Sequence, residues 1–177
     1  GNVPDNVWRD WMRRPRITYS DAYFVQERGR TPVTYAKFCS DRAGVYYGNR
    51  VAKDIELIGT EPSYFEIKDY KLTAGRPFSA QEVKAAARVV VIGQVLSDKL
   101  LEGVDPIGKE VRIGGIPYRI IGLVEKQGTL FGLSLDKFAI IPFTAPGRRM
   151  ICPINVLDHL MIQASGPLMT AIIAHLA

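Results

Sequence analysis

The sequence predicts an α+β domain in which strands outnumber helices, and three observations carry that reading. "KEVRIGGIPYRIIGLVEKQG" alternates apolar and polar residues on either side of Gly114-Gly115, the pattern of a hairpin closed by a primed two-residue turn. "RVVVIG" is a compact apolar strand, followed by "QVLSDKLLEG", where Leu96 and Leu100 fall on one helix face and Gly103 ends the helix. Ser79 with Glu82 three residues on forms a capping box that opens a short helix through "AQEVKAAA".

The other elements follow in chain order. Thr18 with Asp21 is a second capping box, predicting a helix of about ten residues that ends near Gly29. In "PVTYAKFCSDRAGVYYGNRVAKDIELIGTE", Val33, Tyr35, Val45 and Tyr47 suit half-buried strands, and Gly44 and Gly48 suit turns. "EPSYFEI" reads as a short helical turn, with Thr60 as cap and Pro62 in its first turn. Gly and Pro make "LTAGRPFS" a loop. In the hairpin, Val111 and Ile113 alternate with polar residues on the first strand, Ile116, Tyr118 and Ile120 alternate on the return, and Pro117 places its part of the strand at an edge or bulge. "FAIIPF" is a strand, the Pro-containing "TAPGRRMICP" interrupts, and "DHLMIQAS" is a late strand. In "SGPLMTAIIAHLA", Ser165 is placed to cap a helix whose Leu168, Ile172 and Leu176 form an apolar stripe.

Composition narrows the class. With 177 residues and 47% hydrophobic content the chain can bury a real core, as one domain or two small lobes, so disorder is excluded. The net charge of +5 fits nucleic acid, an anionic surface or an acidic partner, and equally a solvated surface. Cys39 and Cys152 fit either one disulfide or two small buried apolar side chains; two cysteines are too few to define a framework, and the second is the simpler expectation. No apolar run reaches the ~18 residues that cross a bilayer. The chain starts at Gly1 without a signal-type segment, which reads as a piece excised from a longer protein.

Catalytic motifs fail on context. Gly103, Gly108 and Lys109 have the spacing of a phosphate-binding loop, but a helix precedes them and a strand follows, the reverse of a phosphate cradle. Pro106 removes an N–H from its middle, and Glu110 stands where a Ser or Thr would hold Mg²⁺. His159 and His175 lack a Cys or carboxylate at metal spacing. "GLSLD" (132–136) follows a nucleophile elbow for two positions only. Asp54 with Glu56, and Asp98 with Glu102, read as surface charges rather than acid/base pairs. "WRDWMRRPR" interleaves aromatics and arginines as a nucleic-acid surface does, yet it lacks a supporting motif and reads better as a terminal helix packing its tryptophans. The residues alone give a basic α+β domain with no catalytic, cofactor-binding or metal-binding residue to name.

The order of the signatures adds a resemblance. "VVVIG" (89–93), "DPIGK" (105–109) and "IIGLV" (120–124) in succession resemble the extracytoplasmic core domain of MacB-type ABC transporter permeases, the superfamily that includes FtsX-like and lipoprotein-release permeases. Upstream, Gly59, Thr60, Pro62, Tyr64, Phe65, Leu72, Gly75, Arg76 and Phe78 match that family's "GTxPxYF…L…GRxF" run. Downstream, Asp136 and Pro142 fit its "G…D…+P" strand. The likeness covers residues 16–177, whereas 1–15 and 147–153 match nothing in it. It implies two lobes: a membrane-proximal helix/sheet lobe from 1–61 plus 145–177, and an inserted β-rich mixed α/β lobe from 62–144. The alternation at the ends and the hairpin-rich middle agree with that split.

The resemblance further implies a non-catalytic periplasmic domain without cofactor that couples ATP-driven motion to a substrate or partner outside the membrane, by efflux, lipoprotein release or mechanotransmission. Its implied partners are an ABC ATPase subunit reached through the parent's membrane segments, a second permease copy as homo- or heterodimer, and a periplasmic adaptor or lipoprotein, with no nucleic acid. The alternative is a stand-alone basic module for nucleic acid or an anionic surface, which predicts salt-dependent affinity.

Overall fold

The computed structural model describes residues 33–152 and, outside them, the backbone of strand segments 17–18, 156–157, 159–164 and 170–172; side chains are described for residues 34–152. Strand β1 (Ile17–Thr18) precedes a long hairpin of β2 (Val33–Tyr47) and β3 (Arg50–Thr60). Then come helix α1 (Ser63–Ile67), β4 (Leu72–Gly75), helix α2 (Ala80–Lys84), β5 (Val89–Ile92) and helix α3 (Gln94–Leu100). The hairpin β6 (Glu110–Ile113) and β7 (Ile116–Val124) is followed by a small one, β8 (Thr129–Leu130) and β9 (Leu133–Ser134). Strand β10 (Phe138–Pro142) leads through a 3-10 turn (Pro146–Met150) to β11 (Val156–Leu157), β12 (His159–Ala164) and β13 (Thr170–Ile172). No helix among the described residues is long and apolar enough to cross a membrane.

The main sheet closes on itself. Its hydrogen-bonded neighbours run β2, β3, β10, β5, β7, β6 and back to β2, where Val45 pairs with Ile113. Within this ring, β3 with β10 and β5 with β7 are parallel and the other pairs antiparallel. Closure removes the free edges of these strands, and period-two alternation then sends every second side chain into the barrel. Val90, Ile92, Ala139, Ile141, Val111, Ile113, Tyr118 and Ile120 point inward, and Leu96 and Leu100 of α3 join the same core. The alternate residues Val89, Val91, Ile121, Phe138 and Ile140 form a second core outside the barrel, under α1, α2 and the loop carrying Phe78. Being covered on both faces is why β5 reads as an unbroken apolar run.

The outer core is aromatic. Phe38 stacks on Tyr64 at 5.7 Å, Tyr64 meets Tyr70 edge-on at 6.1 Å, and Tyr70 stacks on Phe138 at 5.4 Å. Each such contact adds about 0.5–1.5 kcal/mol beyond its buried area. Burial pushes the Tyr64 phenol well above its usual range and that of Tyr70 up to about 12.

Motif residues explain themselves here. Arg76 grips Glu82 with two hydrogen bonds of 2.9 Å, while Glu82 also accepts from the Ser79 amide at 2.8 Å to complete the capping box. The Arg76 guanidinium is the main cause that holds the Glu82 carboxyl down at about 2. Because its folded pKa lies below the unfolded one, Glu82 stabilises the fold above pH ~4.5 and loses that contribution as pH falls toward 2. Discounted for the solvent-exposed Arg76, the contribution is about 1–2 kcal/mol. Glu82→Gln is therefore expected to lower stability at pH 7 by that amount, with the difference from the unsubstituted protein shrinking below pH ~4.5 and vanishing only below about pH 2 in urea melts.

Several sequence expectations need correcting. Gly44 is not a turn: β2 runs through it, with a register shift between Ala43 and Val45, and the Tyr46 ring folds back over it. Thr60 ends β3 instead of capping α1; its hydroxyl donates to the Lys37 carbonyl at 2.6 Å, and Pro62 occupies the cap position. Leu72–Gly75 of the expected loop is strand β4, paired with β7. Thr170–Ile172 is strand β13 against β12, not part of a helix, because "TAII" is a short β-branched apolar run that a sheet edge captures. The expected helix after Thr18 lies outside the described residues, and so do the terminal tryptophans, Leu168, His175 and Leu176.

Candidate interaction surface

The residues that looked chemical in the sequence have structural roles. Gly103–Lys109 lies between α3 and β6, and the amides of its second half are spoken for: Ile107 donates to Asp105 Oδ1 at 3.0 Å, Gly108 to the Ile120 carbonyl at 2.8 Å and Lys109 to the Pro106 carbonyl at 3.1 Å. Exposed Asp54 sits between Arg42 at 3.8 Å and Lys137 at 3.6 Å, and Asp98 accepts from Gln94 at 2.8 Å. Ser134 Oγ accepts the Asp136 amide at 3.2 Å, a turn contact. The backbone of His159 pairs with Phe38. Among the described residues, no group of three His, Cys, Asp or Glu side chains is placed to hold a metal ion.

Cys39 and Cys152 form a disulfide with Cα atoms 5.9 Å apart, correcting the expectation of two buried thiols. Cys39 pairs with Gly59 across the sheet, and the missing side chain of Gly59 makes room for Ile151 and the stem of Arg148. The bond ties the segment after β10 to the middle of β2.

One surface stands out by its chemistry. The β8–β9 hairpin pairs Thr129 with Ser134 and Leu130 with Leu133 around the two-residue turn Phe131-Gly132. Both turn residues have positive φ, +50° and +78°, as a primed turn demands. Gly suits such a position, whereas Phe there costs roughly 1–2 kcal/mol. Phe131 is nonetheless 95% exposed, beside Leu133 at 73% and Leu130 at 54%. No charged residue occurs from Gln127 through Leu135.

The base of this hairpin is fixed by a buried carboxylate. Asp136, 2% exposed, accepts the Gln127 amide at 2.7 Å and the Gly128 amide at 3.0 Å. The Leu135 amide donates to the Gly128 carbonyl at 2.9 Å, and the Asp136 carbonyl accepts the Val95 amide of α3 at 3.3 Å. Asp136→Ala is expected to leave two amides short of partners and cost about 2–3 kcal/mol, with proteolysis appearing first within 127–135. Sequence reasoning placed Asp136 in a family motif but missed the hairpin. The available signal is Phe-Gly flanked by Thr-Leu and Leu-Ser, in a stretch that the sequence offers otherwise only as a partial nucleophile elbow.

Comparison with known proteins now decides the family. Residues 2–174 match the MacB-like periplasmic core domain family. The chain belongs to it. The curated relatives include the macrolide export ATP-binding/permease protein MacB of Syntrophobacter fumaroxidans, 35% identical over 59% of this chain and 15% of that protein. MacB 2 of Aeromonas hydrophila is 32% identical over 71% of this chain and 19% of that protein. The chain thus spans less than a fifth of the length of either relative. Among solved structures, the periplasmic region of MacB from Actinobacillus actinomycetemcomitans superposes with a TM-score of 0.73 at 19% identity, covering 96% of this chain and 74% of that one. The extracellular domain of the Gram-positive transporter YknZ gives 0.71 at 21% identity, covering 86% and 75%.

The MacB-like chain is therefore an extracytoplasmic domain of an ABC transporter permease, with the sheet-dominated α+β fold of that class. A structural disulfide suits an oxidising compartment. The alternative of a stand-alone basic module receives no support from these comparisons.

Proposed function

We propose that this domain transmits movement in an export-type permease: ATP-driven rearrangement at the membrane shifts it as a body and changes what it holds outside. Strand β2 carries this reading. It is 15 residues long, pairs with β12 over residues 33–38, and from Phe38 onward is itself a barrel strand, paired with β3 and, at Val45 and Tyr46, with β6. At ~3.3 Å per residue it is a rod of roughly 50 Å. A displacement applied where β2 and β12 meet passes along this ladder, and through the Cys39–Cys152 bond, into the barrel.

In this reading the chain divides into 1–61 plus 145–177 and an insert of 62–144 that share one barrel: beside the boundary the Phe143 amide donates to the Thr60 carbonyl at 2.8 Å. Strands β3 and β10 pair across that boundary from Phe138 and Glu56 to Pro142 and Thr60, which favours one lever over two loosely tethered lobes. In this reading the domain performs no catalysis, ATP hydrolysis belongs to a separate nucleotide-binding domain or subunit, the permease works as a dimer, and an adaptor or lipoprotein is the outer partner.

The coding sequence on either side tests this directly. An apolar span of ~20 residues before Gly1 and several after Ala177 are expected. Polar flanks on both sides would leave movement at the membrane no route into this domain and would contradict the proposal.

A further inference from the structure

We propose that the β8–β9 hairpin is a docking knob: its tip, Leu130, Phe131 and Leu133, inserts into an uncharged, apolar concave site on a protein partner outside the membrane. The inference rests on the extracytoplasmic permease reading for its setting, and on the hairpin's own geometry for its content. The turn needs positive φ at Phe131, which holds +50°, but Gly or Asn would supply it without strain, so the 95% exposed aromatic ring is not there to close the hairpin. Asp136 and the Leu135–Gly128 hydrogen bond fix the base, so the knob is presented in one arrangement, which lowers the entropy lost on docking.

Three features select the occupant. The segment 127–135 carries no charge, so it has nothing to offer a phosphate, an acidic peptide or an anionic headgroup, and an uncharged apolar site complements it. The hairpin leads into the start of β10, level with Glu56, whereas β2 begins and β12 ends paired at Val33 and Ala164, beyond the far end of β3. With the membrane at the Val33–Ala164 end, the knob sits at the end of β10 remote from the bilayer. Finally, the tip exposes only several hundred Å². Two knobs meeting across a two-fold axis would fall short of the ~1,000 Å² a lasting interface needs, and two convex tips cannot enclose one another. A pocket can.

The test is light-driven crosslinking in cells that make the full-length parent, with p-benzoylphenylalanine replacing Phe131 and, as control, Lys99 on α3. The expected result is one dominant adduct at position 131, absent at 99, with a protein from outside the membrane, mapped to apolar residues that line a concavity. That protein, once purified, is expected to bind the parent at least ~10-fold more weakly when Leu133→Asp is introduced, while the thermal midpoint stays within about 2 °C. Adducts to lipid or to a second copy of the chain, no adduct at 131, or unchanged affinity in Leu133→Asp and Leu130→Asp would each overturn the proposal. The crosslink is read in whatever protein carries the hairpin, so loss of the permease reading through its flanking sequence is a separate outcome.

Discussion

Gly75→Ala is expected to lose at least about 3 kcal/mol of stability and to express mostly as unfolded chain. Gly75 holds φ +68° at the end of β4, and a Cβ there would lie 2.0 Å from the carbonyl oxygen of Ile121. That oxygen cannot give way, because Ile121 belongs to β7 at the centre of the outer core and its carbonyl accepts the Arg76 amide at 2.9 Å. The substitution therefore combines an unfavourable backbone conformation with a clash between main chains. Gly103→Ala separates the two effects. Gly103 has φ +72°, but nothing lies within 4 Å of its would-be Cβ, so about 1–2 kcal/mol is expected there. Urea melts of both variants check the contrast; equal losses would mean that strain alone matters and that the close approach of β4 to β7 is relaxed.

Removing the disulfide has the next largest expected effect. The Cys39→Ala/Cys152→Ala variant is expected to melt roughly 5–15 °C lower, a loss of about 2–5 kcal/mol. The bond closes a loop with a sequence separation of 113, so the unfolded chain gains much freedom when it is absent. Both cysteines are buried, at 0% and 2% exposure, so a mild thiol reductant is expected to leave the folded protein oxidised and to act only as it unfolds. Scanning calorimetry of the oxidised protein and the double variant reads the first effect, and mass-tagging of free thiols reads the second. A variant that melts within 2 °C of the parent would show that the surrounding packing, not the crosslink, holds the 3-10 turn against β3.

Local features of this fold were legible in the sequence, and long-range ones were not. The Ser79–Glu82 capping box, the Gly114-Gly115 turn and the α3 stripe of Leu96 and Leu100 formed as expected, since each is decided by residues a few positions apart. Pro117 pairs with Arg112 on one side only and precedes Arg119, where β5 begins to pair, so the edge assignment was right. Barrel closure depends on β6 meeting β2, elements more than 60 residues apart, and alternation says which face is buried but not which strand comes next. Cys39 and Cys152 met for the same reason: distance in the chain says nothing about distance in space. The terminal "TAII" could be read at either period, and the partner strand β12 decided for β. The ordered motifs were more informative for the family than for a site, because Arg76, Asp136 and Gly75 turn out to brace the fold.

A domain that acts as a lever changes its distance from a second copy as the transporter works. Both cysteines of this chain are held in the buried bond, so a single cysteine placed at exposed Lys99 takes a spin label cleanly, provided that the rest of the parent is cleared of thiols. Double electron–electron resonance on the reconstituted full-length protein would compare nucleotide-free, ATP-bound and vanadate-trapped states. The distance between copies is expected to shift by several ångströms with nucleotide, while a pair of labels at Lys53 and Lys99 within one copy stays fixed. An unchanged distance between copies in every nucleotide state would contradict the lever role.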